Sequence, residues 1–240
     1  MKHKWTHAEK LLVVVIVVVT IALGLLSVFA YEHKKNLVYR ENLTLTAVTV
    51  DGQDLTLSDL AFYIAYEENL VEEQARVYEM DQTLLYWNLR MKGKYVKQTA
   101  KQNVIGLAVH DAIFAKIAEE QKIELDEEEE KLCASKEADF WSDLTDEQKE
   151  RLGVEEQVIA HTMHQMALAQ KAQQFYAIEQ NKDYEDYELS GAAYEKLLKK
   201  HTYQINQKVW SRIDVGNITL DHGNTAALDM ESVEKRIDGK

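Results

Sequence analysis

Seven side chains, Tyr63, Tyr66, Tyr86, Trp87, Met91, Met163 and Met166, carry the chemistry this chain offers most plainly, which is non-covalent. Aromatic rings and thioethers give large, adaptable apolar contact of the kind that recognises many unfolded sequences, so these seven are the candidate client-binding residues. The same residue types also fill cores, and only the elements that carry them decide between the two uses. Bond chemistry finds less material. His161 and His164 lie three apart on a predicted helix, with Glu155, Glu156 and Gln165 as neighbouring donors, but two histidines do not define a metal site and no HExxH occurs. Residues 127–130 are all glutamate, without the alternating ligands and glycine of a calcium loop. Serine, histidine and aspartate are present without a GxSxG elbow, and the nine glycines are too scattered for a phosphate loop. No catalytic residue, cofactor or metal is therefore expected, and the chain does not read as an enzyme.

Composition narrows the partners. The 240 residues carry a net charge of −13, and the first thirty residues are slightly basic, so the remainder is more acidic still. Such a surface repels phosphate backbones and anionic headgroups, which argues against nucleic acid and against peripheral membrane docking. Cys133 is the single cysteine, so no internal disulfide or thiolate metal centre can form, and it is expected as a small, partly buried residue. Proline is absent altogether, which leaves long helices uninterrupted.

Residues 11–30, LLVVVIVVVTIALGLLSVFA, run from Leu11 to Ala30 without a charge. As a helix rising about 1.5 Å per residue they span about 30 Å, the hydrocarbon thickness of a bilayer. Three Lys or Arg precede the stretch and Lys34, Lys35 and Arg40 come after it, so charge alone barely orients it. The short basic start resembles the n-region of a secretory signal, which places residues 1–10 in the cytoplasm and the bulk outside. Val28, Phe29 and Ala30 fit a cleavage site, but the apolar run exceeds the usual h-region and reads as an uncleaved signal-anchor.

The elements that must position the seven candidates are mainly helices. Residues 43–50 alternate threonine with aliphatics and meet Asp51-Gly52, a strand and tight turn. Thr56 and Asp59 have capping-box spacing, so a helix is expected to begin near Leu57. In it Leu60, Tyr63, Ile64, Leu70, Val71, Ala75, Val77 and Tyr78 form an apolar face opposite Glu67, Glu68, Glu72 and Glu73. A second helix is predicted over 95–123, with Val104, Leu107, Ala108, Ile113, Phe114 and Ile117 inward, and a third over 127–141 capped by Asp126. Thr145 starts another. A further long one runs over 154–180 with a stripe at Val158, Thr162, Met166, Ala169, Ala172 and Tyr176, and a last short one covers 191–200. Residues 204–210 and 217–220 read as two small strands that pair with the strand at 43–50.

The run Val50-Asp51-Gly52-Gln53-Asp54-Leu55-Thr56-Leu57-Ser58-Asp59-Leu60, followed by Phe62-Tyr63 and a long helix, resembles the opening of the SurA N-terminal domain family. Ile123-Glu124-Leu125-Asp126-Glu127-Glu128 looks like that family's link into its next helix. The likeness covers about residues 43–201 and implies the helical chaperone part of a SurA- or PrsA-type extracytoplasmic foldase. The segment after His201 is too short for the parvulin-type prolyl isomerase domain of full-length foldases, so no catalytic residue is carried over.

The expected organisation is a cytoplasmic tail (1–10), a transmembrane signal-anchor (11–30), a juxtamembrane linker (31–42), a SurA-N-like helical domain (43–201) and a short C-terminal β tail (202–240). The expected function is that of a membrane-anchored extracytoplasmic chaperone, related to peptidylprolyl isomerase foldases, that holds unfolded or partly folded secreted polypeptides. The alternative from the same residues is a structural single-span helical protein that binds one cell-envelope partner.

Overall fold

The computed structural model describes residues 36–78 and 82–222, which apart from Asn36 belong to one compact unit. The proposed anchor at 11–30 and the cytoplasmic tail lie outside the described residues. Among the described residues no helix is long and apolar enough to cross a membrane.

The unit is mainly helical with small antiparallel sheets. Strands β1 (Thr46–Val50) and β2 (Gln53–Thr56) form a hairpin. Asp51 and Gly52 close it with φ of 48° and 87°, the left-handed pair that a two-residue turn matching strand twist requires. Helices α1 (Ala61–Tyr78) and α2 (Thr83–Trp87) come next, then a two-stranded ribbon, β3 (Arg90–Met91) and β4 (Lys94–Tyr95). The chain continues through α3 (Val96–Gln121), α4 (Glu127–Asp143), α5 (Asp146–Leu152), α6 (Glu156–Glu179) and α7 (Ala192–Leu198). It closes with strand β5 (Tyr203–Ile205) and the one-turn helix α8 (Gln207–Trp210). Short 3-10 turns sit at Tyr39–Glu41 and Tyr184–Tyr187.

Most expected starts are where the capping chemistry puts them. Asp126 accepts from the amides of Glu128 and Glu129, and Glu129 reaches back to the Asp126 amide, satisfying donors that α4 leaves free. Thr145 and Gln148 do the same for α5. Thr56 and Asp59 also bond reciprocally, at 2.7 and 3.3 Å, but the residues between form a turn and α1 begins at Ala61, not Leu57.

The C-terminal strand pairs with β1 as expected, Val48 opposite Ile205 and Val50 opposite Tyr203. The rest of that expectation is corrected. Asn206 ends the ladder, its carbonyl accepting from the amides of Val209 and Trp210, so residues 207–210 coil into α8. Residues 217–220 are not a strand: the amides of Ile218 and Thr219 are taken by a carboxylate of α1 and that of Asn217 by the Asp214 carbonyl.

That carboxylate reverses a second expectation. Glu67, Glu68 and Glu72, assigned to the wet face of α1, are buried at 3, 0 and 8% exposure, while Leu70, Val77 and Tyr78 stand 39, 90 and 55% exposed. Of the four glutamates only Glu73 faces solvent. Each buried carboxylate has its own donors, the condition under which burial of charge is tolerated. Asn103 donates to Glu67 at 2.8 Å and the Trp87 indole N–H to Glu72 at 3.0 Å. Glu68 accepts from the amides of Gly216 (2.5 Å), Ile218 (3.1 Å) and Thr219 (2.6 Å) and from the Thr219 hydroxyl (2.5 Å). The segment after Ile213 is thus strapped across α1 by backbone hydrogen bonds to one side chain.

The core lies between α3, α6, the N-terminal half of α1 and the inner face of β1. Val104, Ala108, Ile113, Phe114 and Ile117 of α3 are buried as expected, and so are Thr162, Ala169 and Ala172 of α6.

Asp51 ties the hairpin to the rest. Its Oδ2 lies 2.7 Å from His201 Nδ1 and 3.1 Å from Lys116 Nζ, and its Oδ1 accepts from the Thr202 amide at 2.8 Å. The bond from His201, then that from Thr202, holds this carboxyl well below its ordinary value of 3.8. A depressed carboxylate contributes stability that is present above its unfolded pKa and lost as pH falls below it. Asp51→Asn, which keeps a residue tolerant of positive φ, is expected to lower stability at neutral pH and to flatten the acid limb between about pH 5 and about pH 2. Urea midpoints across that range check it, and an unchanged acid limb would count against it.

Candidate functional site

The seven candidates separate. Trp87 is 1% exposed and belongs to the core, its ring lying under Gly216, where a Cβ would come within 2.9 Å of Trp87 Cε3. Tyr86 is half-buried, its hydroxyl donating to Gln74 at 3.0 Å. Met91 is exposed on the β3–β4 ribbon. The other four, Tyr63, Tyr66, Met163 and Met166, gather along one side of α6.

Two cavities meet there. One, of about 430 Å³, lies between α1, α3 and α6 and is lined by Phe62, Tyr63, Tyr66, Leu107, Met166 and Leu189 among others. The second, of about 310 Å³, lies between α4 and α6 and is lined by Leu132, Cys133, Met163 and Met166. Met166, Gln170 and Tyr184 border both, so the two form one groove. Tyr66 (45%) and Leu132 (56%) leave apolar surface open along it, while Tyr63 and Met163 are almost wholly buried and shape its walls. Tyr66 stacks on Phe62 at 5.9 Å, and Phe62 meets Phe140 of α4 at 5.0 Å, an aromatic row that stiffens the α1 side.

The deep end is polar and internally committed. Tyr63 donates to Asp111 Oδ2 at 3.0 Å, and His110 Nδ1 lies 2.8 Å from Asp111 Oδ1. His110 Nε2 lies 3.0 Å from the carbonyl of Tyr187. Both imidazole nitrogens are thus engaged within the fold. Burial, and then the charge of Asp111, push the Tyr63 hydroxyl well above its ordinary value, so it stays a donor. Gln173 donates to the carbonyl of Tyr184 at 3.1 Å, and exposed Gln170 lines the groove. Half-buried thioether and exposed ring surface beside a carboxamide is the equipment of adaptable, sequence-tolerant binding.

The remaining candidates serve the frame. His161 is exposed, and His164 lies 3.2 Å from Glu130, bridging α6 to α4. Glu129 pairs with Lys171 at 2.5 Å. The Cys133 thiol is pushed up to about 12 by burial and by its bond to Glu137, which leaves it a packing residue. Among the described residues no three His, Cys, Asp or Glu side chains converge as metal ligands.

The strap held by Glu68 is a feature that residue pattern did not reveal. A faint signal existed: Ala61, Ala65 and Ala75 are in helical register with Glu68 and Glu72, so small residues and carboxylates share one stripe.

The fold is mainly helical, and the groove along α6 opens to solvent. No protein-family model matches the chain, and no curated protein or solved structure is significantly similar to it.

Proposed function

We propose that this chain is a membrane-anchored, extracytoplasmic holding chaperone that shelters unfolded or partly folded secreted polypeptides without catalysing a reaction. The observation that carries the reading is the groove along α6, where exposed Tyr66 and Leu132 and adaptable Met166 line a path open to solvent. Its size and apolar lining suit side chains of a non-native client rather than a compact polar ligand. The resemblance of residues 50–60 to the opening of SurA N-terminal domains supports the same reading, and the charge-free stretch at 11–30 supports the anchor.

The test is aggregation of a chemically denatured model protein in the presence of the full chain in mild detergent, without ATP. Suppression is expected at several-fold molar excess and is weakened in Tyr66→Ala/Leu132→Ser, whose folding is checked by circular dichroism. Aggregation that proceeds unchanged at that excess refutes the proposal. Protease accessibility of the C-terminal region in intact cells tests its placement outside the cytoplasm.

A further inference from the structure

The three-stranded sheet ends on β5, with the order β2-β1-β5. The Asp51 amide donates to the Thr202 carbonyl at 2.7 Å and the Asn206 amide to the Ala47 carbonyl at 2.9 Å. Residues 202, 204 and 206 therefore turn their backbone groups toward β1, and by the alternation of an antiparallel ladder Tyr203 and Ile205 turn theirs the other way. Among the described residues no strand pairs with that outer side. An edge of this kind is a template for another strand.

Beside this edge there is room for the side chains a new strand would bring. Tyr203 and Ile205 stand opposite Val50 and Val48, whose burial marks the inner face of the sheet. On that face a cleft of about 680 Å³ opens between β5 and α3, lined by Tyr203, Ile205, Ile105, Val109, Tyr194 and Trp210 among others. At Gly106 the Leu189 side chain packs against α3 and forms part of the cleft wall. A strand laid against β5 would bond to Tyr203 and Ile205 and place every second side chain in this cleft.

The lining of the cleft is also basic. Lys94 and Lys101 line it and, among the described residues, no carboxylate does, in a chain of net charge −13. Lys101 donates to the carbonyls of Ser211 and Ile213 at 3.2 and 2.6 Å and lies 5.4 Å from the Trp210 ring. Burial lowers its ammonium to about 8, which leaves it charged at neutral pH.

We propose that the free edge of β5 binds an extended polypeptide segment by strand addition, the inward-facing half of its side chains entering the cleft, apolar ones against α3 and an acidic one beside Lys94 and Lys101. The inference stands on β5 and its cleft, and holds or fails independently of whether the groove along α6 shelters clients.

The test is fluorescence anisotropy of a dye-labelled peptide whose inward-facing alternate residues are valines and one glutamate, with threonine between them, titrated with the full chain in mild detergent. Saturable binding is expected. N-methylating one alternate set of peptide amides is expected to weaken binding roughly tenfold or more, and N-methylating the other set to leave it unchanged, because only one set faces β5. Ile205→Pro removes one outward donor at an edge position where proline is tolerated, and is expected to weaken binding to a similar degree. The N-methylated peptides decide the matter even where that variant fails to fold. Equal binding by both N-methylated sets, equal binding by a lysine-for-glutamate peptide, or absence of binding overturns the proposal. So does self-association of the chain through this edge, seen as a dimer in sedimentation that Ile205→Pro dissolves.

Discussion

Glu68→Ala is expected to destabilise the fold by about 4 kcal/mol, among the largest effects of any single replacement in this chain. The side chain is fully buried and is the acceptor for three backbone amides and one hydroxyl from residues 216–219. Removing it strands those donors away from water, and each buried unsatisfied group costs about 1–3 kcal/mol unless the strap lifts off to find solvent. Both outcomes are measurable. Urea midpoints report the global loss, and hydrogen exchange reports whether the amides of Gly216, Ile218 and Thr219 lose protection ahead of the core. Glu68→Gln keeps the shape but turns an NH2 toward donors, so it is expected to cost about 2 kcal/mol, between wild type and alanine. A loss below about 1 kcal/mol in the alanine variant, with those three amides still protected, would show that the strap is held by something else.

Trp87→Ala is the second large effect, and its contrast with Tyr66→Ala separates packing from binding. Trp87 is 1% exposed, donates to Glu72 and packs under Gly216, so truncation removes a large core side chain and an anchor of the strap. The expected loss is about 3–5 kcal/mol. Tyr66 is 45% exposed on the rim of the groove, and its truncation is expected to cost about 1 kcal/mol or less while reducing capture of denatured protein. Thermal melts paired with the aggregation assay distinguish the two. Tyr66→Ala that unfolds the chain, or Trp87→Ala that leaves it as stable as wild type, would invert the assignment.

The two aromatics illustrate how far residue type reaches. Both are large amphipathic rings on neighbouring helical segments, and both qualify as client-binding candidates in the sequence. Their difference in exposure comes from the segment around Gly216, far along the chain, whose course over Trp87 no local pattern announces. Tyr63 and Met163 are a middle case: they border the groove as buried walls and not as exposed surface. The free edge of β5 was likewise only half legible. That a late strand joins β1 is a consequence of pairing preferences, but which residues turn outward depends on the register and on Asn206 ending the ladder.

What the sequence by itself determined is local: the Asp51-Gly52 hairpin, the capped starts of α4 and α5, the long helices α3 and α6, and the charge-free span at 11–30. Each rests on interactions between residues a few positions apart, namely a cap, a turn or a periodic stripe. Only the tertiary structure decided which face of α1 is interior. A glutamate reads as solvated until donors arrive to satisfy it, and those of Glu68 come from residues 148 to 151 positions away, beyond the range of any helical period.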